Sequence, residues 1–75
     1  MRNQAIQEII KALRYLREHR KWSWGKIGDA IGYTGASVIG FRKGKLPQSE
    51  KKLKLIHSRI TELAYKIKNM KNEKL

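Results

Sequence analysis

A chain of 75 residues in which 18 Lys and Arg stand against 6 Asp and Glu carries a formal net charge of +12 and a sequence pI near 10.4. Its length allows one domain that buries about 60% of its unfolded surface, the absence of cysteine excludes a disulfide framework or a thiolate metal site, and no stretch approaches the ~18 consecutive apolar residues of a membrane span. So one-sided a charge calls for an anionic partner, and the composition predicts a soluble, unprocessed cytoplasmic protein.

The excess is spread along the chain: residues 1–22, 23–46 and 47–75 carry +4, +3 and +5. Basic and apolar residues interleave throughout, which favours a folded module with a positive surface over a disordered basic arm. Ile6, Ile9, Ile10, Leu13 and Leu16 recur at spacings of three and four and predict a helix from about Asn3 to His19, with Lys11, Arg14 and Arg17 off its apolar stripe. Ser23 is a good N-cap, Trp22 before it can staple the incoming chain, and a second helix opens at Trp24 with Ile27, Ala30 and Ile31 as its apolar edge. Gly32 stops it, because glycine accepts the left-handed conformation. Thr34 caps a third short helix that carries Val38 and Phe41 inward and ends at Gly44. After Pro47, Ser49 opens a final helix over about residues 49–72 that no proline or glycine interrupts. No segment alternates with strand period, so the fold expected is an all-α bundle of four or five helices in a single domain.

The stretch Ser23–Gly44, SWGKIGDAIGYTGASVIGFRKG, reads as a helix-turn-helix. Ile27 and Ile31 pack the first helix inward, Gly28 sits where the helices cross, Gly32 makes the turn, and Val38 and Phe41 close the core. Together with LREHRKWS before it and GKLPQSEKKLKLI after it, this resembles the Cro and repressor helix-turn-helix family of phage and bacterial regulators, over about residues 10–60. The resemblance implies that the second motif helix, Gly35 to Lys43, lies in the DNA major groove while the first bridges the backbone.

On a helical wheel Val38, Phe41 and Arg42 fall towards one side, Ala36, Gly40 and Lys43 towards the other, and Ser37 and Ile39 on the flanks. Thr34, Gly35, Ala36, Ser37, Ile39, Gly40 and Lys43 are thus the candidates for the groove, and Ser23, Trp24, Lys26, Tyr33, Arg42 and Lys45 for phosphate. Family members often carry amides or arginines at the equivalents of Gly35, Ala36 and Gly40. Here those positions are nearly bare, which points to hydroxyls of Thr34 and Ser37, apolar contact from Ile39, Arg42 or Lys43 at the helix end, and DNA shape as sources of selectivity. Trp24 stands where the family often has a phosphate-contacting glutamine. Its indole N–H can donate to a phosphate, and it reads equally as a core residue beside Trp22.

Leu53, Ile56, Ile60, Leu63, Ile67 and Met70 are spaced as a heptad seam. The first half of this helix is expected to close the core. Leu63, Ile67 and Met70 then form a strip for a second copy, as a homodimer suited to a two-fold operator, or for the N-terminal helix. Lys52, Arg59, Lys66 and Lys71 flank the seam and oppose a parallel twin.

Catalysis finds no constellation: His19 and His57 lie on different helices without a carboxylate cluster, a nucleophile setting or a Gly-rich phosphate loop. The reading is a non-enzymatic, sequence-preferring duplex DNA-binding protein. It is expected to be a small repressor, nucleoid-associated in a prokaryotic or phage-infected cell, with no cofactor, metal, small-molecule ligand or membrane partner. The alternative is a helix-turn-helix accessory protein that docks another protein, as in transposition or as an antitoxin. RNA is less favoured because no aromatic stacking platform is visible in the sequence.

Overall fold

The three-and-four spacing of the N-terminal apolar residues winds into α1 (Arg2–Arg14), which buries Ile9 and Leu13. The computed structural model describes the backbone of residues 2–73 and the side chains of residues 2–69. From α1 the chain runs without a break into a π turn, Tyr15–His19, that buries Leu16. The sequence stripe gives the extent of this first helical run but not its widening. The closure is correspondingly wide: the Trp22 N–H donates to the Leu16 carbonyl at 3.1 Å, one residue further than in a Schellman motif. Lys21 takes φ 61 to make that bend, a left-handed conformation that costs an L-residue roughly 1–2 kcal/mol.

α2 (Trp24–Ile31) starts at Ser23, whose hydroxyl accepts the Lys26 N–H at 3.1 Å. It ends at Gly32, φ 83, where the Tyr33 N–H reaches the Gly28 carbonyl at 2.7 Å. Arg59 satisfies another terminal carbonyl, donating from Nη1 to Ile31 O at 3.0 Å. α3 (Gly35–Arg42) is capped by the Thr34 hydroxyl, which accepts the Ser37 N–H at 3.1 Å. α3 stops two residues before Gly44, which takes φ 90 in the turn that follows. α4 (Glu50–Glu73) starts at Ser49, whose hydroxyl accepts the Lys52 N–H at 3.3 Å. At about 1.5 Å per residue its 24 residues make a helix about 36 Å long.

The bundle is all-α. Its core is one cluster: Ile9, Leu13 and Leu16 from the first helical run, Ile27 and Ile31 from α2, Val38 and Phe41 from α3, and Leu53, Ile56, Ile60 and Ile67 from α4. Three expectations are corrected here. Ala30 is exposed, because Ile27, Gly28 and Ile31 already fill the inward arc of a two-turn helix. Arg42 is exposed rather than grouped with Val38 and Phe41. Ile67, expected on a dimer strip, is only 8% exposed and belongs to the protomer's own core, with Leu63 half-buried against that core. Because α4 packs chiefly on α1, the seam is largely used within one chain. The side chain of Met70, the third strip residue, lies outside the described residues.

A tie between α1 and α4 carries a testable pH dependence. His57 Nε2 lies 2.6 Å from Glu8 Oε1; hydrogen bonds from His57 and then Gln4 hold the Glu8 carboxyl below its ordinary value of 4.5. A carboxyl depressed in the folded state adds stability that is fully present above the ordinary value and lost as pH falls through the folded one. Glu8→Gln should therefore melt below the native chain at neutral pH, and the gap should close in melts run at successively lower pH beneath 4.5. A gap that widens on acidification would contradict this.

Candidate nucleic-acid interface

The turn between α2 and α3 is three residues long, Gly32-Tyr33-Thr34, and it is tight because Gly28 lets it be. A β-carbon on Gly28 would sit 2.5 Å from Tyr33 O and 2.8 Å from the Thr34 carbonyl carbon. α3 thereby presents a short outward face on which Ala36, Ile39, Arg42 and Lys43 are exposed, Ile39 at 37%.

Two of the expected groove positions are glycines, and only the first is held bare by packing. A β-carbon on Gly35 would lie 3.1 Å from Gly25 N and 3.2 Å from Gly25 Cα, so this glycine serves the close approach of α3 to the start of α2. On Gly40 it would point towards Lys45, 3.9 Å from that residue's Cβ, and so towards the connection to α4. That distance is ordinary contact, so a side chain fits at Gly40 and not at Gly35 without a shift. The hydroxyls of Thr34 and Ser37 are 3.1 Å apart and bonded to each other, leaving one free donor between them.

Trp24 sits beside the core, as one of its two readings has it. Its ring is half-buried against the core, and two guanidinium groups lie within cation–π range, Arg17 at 5.2 Å and Arg42 at 6.0 Å from the ring centroid. Arg14, Arg17, Lys21, Trp24, Ile39 and Arg42 line one cleft, into which Glu18 also points. Glu18 Oε2 is 3.8 Å from Arg14 Nε, so four cations face one carboxylate. Arg17 is further fixed by donating to Trp22 O at 3.4 Å. The positive excess around a low-dielectric ring concentrates the field at the cleft mouth.

Arg14, Arg17 and Lys21 were not among the expected phosphate residues. Their signal was present in the sequence as basic residues three and four apart off the apolar stripe; in the structure Arg14 ends α1, Arg17 lies in the π turn and Lys21 follows it in the left-handed conformation. The other expected residues divide. Lys43 and Lys45 follow α3 near Gly40. Ser23 is occupied as a cap, with its own proton free to donate. Lys26 Nζ rests 4.3 Å from the Trp22 ring, and Tyr33 packs edge-on against Phe41 at 5.3 Å as part of the core's rim.

Among the described residues no three His, Asp or Glu side chains are grouped as a metal site would require, and no helix is long and apolar enough to cross a membrane. No protein-family model matches this chain, nor does any curated protein or solved structure.

Proposed function

We propose that the protein is a small transcriptional regulator, of repressor type, that binds double-stranded DNA with α3 in the major groove and the Trp24 cleft against the phosphate backbone. The observation that carries this reading is the convergence of Arg14, Arg17, Lys21 and Arg42 on Trp24 beside the exposed edge of α3. Guanidinium groups suit phosphate because they present paired donors in a plane, and the indole N–H adds a donor at the same place. A helix whose outward residues are Ala36, Ile39 and one free hydroxyl offers methyl contacts and close approach more than a hydrogen-bonded base code. Arg42 and Lys43 supply the long polar side chains at its end.

The reading is tested by selecting duplexes from a random pool and comparing selected with random sequence by gel shift. Selected duplexes should bind more tightly and should weaken when their thymines are replaced by uracil, which removes the C5 methyl that Ala36 and Ile39 would touch. Equal binding of all duplexes would leave an architectural role and remove sequence-directed regulation. One observation favours a second reading: Ile39 is a large apolar side chain exposed at the cleft, as a protein-docking accessory factor would need. Failure to bind any duplex at low salt selects that alternative. Pairing on a two-fold operator would use a face other than Leu63 and Ile67, and light scattering with and without DNA reads the stoichiometry.

A further inference from the structure

We propose that the groove between the first helical run and the second half of α4 binds a single-stranded nucleic-acid segment, with its phosphates on Lys11, Arg14 and Lys68 and an unstacked base against Tyr65. The groove encloses about 590 Å³. Ala12 from α1 and Ala64 from α4, both small, are among the residues that line it. Aromatic rings line it: Tyr15 and His19 stack with centroids 5.6 Å apart and planes 23° from parallel, and Tyr65 is 67% exposed. Lys68 Nζ lies 5.7 Å from the Tyr15 ring, so a cation stands beside one of these rings. Glu8 also lines the groove, with its Oε1 held by His57.

Three features select the occupant. A second copy of a chain with net charge +12 would bring like charge to a basic rim. A neutral apolar segment would leave three cations facing a partner with nothing to pair them. A phosphodiester chain with exposed bases supplies both an anionic backbone and flat π faces, the combination that single-strand binders exploit. Arg14 lines this groove and the Trp24 cleft alike, so one strand can run from one to the other; to that extent the proposal rests on the duplex-binding reading.

The test is fluorescence anisotropy at low salt with a labelled oligothymidylate of about ten nucleotides and an abasic oligonucleotide of equal length. Stacking of one base predicts a preference of roughly tenfold for the oligothymidylate. Tyr65→Ala should erase that preference while circular dichroism shows an unchanged helical fold, and Tyr65→Phe should keep it. Arg17→Ala with Arg42→Ala should weaken duplex binding and leave the preference ratio in place. Equal affinity for the two oligonucleotides, or a preference that survives Tyr65→Ala, would overturn the proposal. So would displacement of the oligothymidylate by an oligoglutamate peptide as efficiently as by unlabelled oligothymidylate, which would assign the groove to an acidic protein. A base preference without duplex binding would uphold the groove and remove the duplex reading alone.

Discussion

Gly28→Ala is expected to destabilise the fold by about 2 kcal/mol, which for a domain of this size lowers the melting temperature by roughly 10 °C. The added β-carbon would meet Tyr33 O at 2.5 Å, the Thr34 carbonyl carbon at 2.8 Å and Thr34 O at 2.9 Å. All three are backbone atoms, so nothing can rotate aside and the α2–turn–α3 unit must open. Overpacking of this kind costs about 1–3 kcal/mol, sometimes more, and the helical advantage of alanine over glycine, up to about 1 kcal/mol, offsets only part of it. Against a total stability of roughly 5–10 kcal/mol the loss is large. Gly25→Ala is the control on the same helix. Nothing lies within 4 Å of its β-carbon, so propensity alone acts and the variant should gain about 0.5 kcal/mol. Thermal melts of both variants check this, and a Gly28→Ala protein as stable as the native chain would refute the close crossing of α2 and α3.

Arg17→Ala combined with Arg42→Ala is expected to weaken duplex affinity about a hundredfold, close to tenfold for each charge-assisted hydrogen bond to phosphate that is removed. Both side chains are exposed, so the fold should persist, as surface substitutions usually shift stability by within about 0.5 kcal/mol. The two guanidiniums flank Trp24 from different elements, Arg17 from the π turn and Arg42 from α3. Without them the cleft keeps only Arg14, Lys21 and the indole N–H for the backbone, whatever the base sequence. The comparison variant is Lys51→Ala with Lys54→Ala, which takes the same charge from a part of α4 lined by Leu55 and Ser58. Affinity should change little there. Equal losses in the two double variants, measured by anisotropy, would mean that net charge rather than the cleft holds DNA.

Local chemistry was the legible part of this chain. Ser23, Thr34 and Ser49 cap the helices they precede, and Gly32 takes the left-handed turn, because each acts on atoms within a few residues of itself. What depended on a distant neighbour was not legible. Gly35 looks like surface cleared for DNA until Gly25 is found beside it. An apolar strip through Leu63 and Ile67 reads the same whether a second copy or α1 covers it, and α1 does. Arg42 falls 40° from Val38 on an ideal wheel at about 100° per residue, too close to separate a core position from an edge that reaches Trp24. The π turn has no residue signature, yet it sets where Arg17 and Lys21 end up. Tyr15, His19 and Tyr65 gather in one groove only because α4 returns along α1, so the chain alone showed no stacking platform.

The most direct test of duplex binding is an anisotropy titration of a labelled DNA duplex repeated across a series of salt concentrations. If Arg14, Arg17, Lys21, Arg42 and neighbouring lysines neutralise phosphates, log K will fall linearly with log salt at about 0.9 per neutralised phosphate, giving a slope near −4 or steeper, and the Arg17→Ala, Arg42→Ala variant will be shallower by about 2. No duplex binding at low salt, or binding indifferent to salt, would contradict the claim that this basic cleft is a DNA-binding surface.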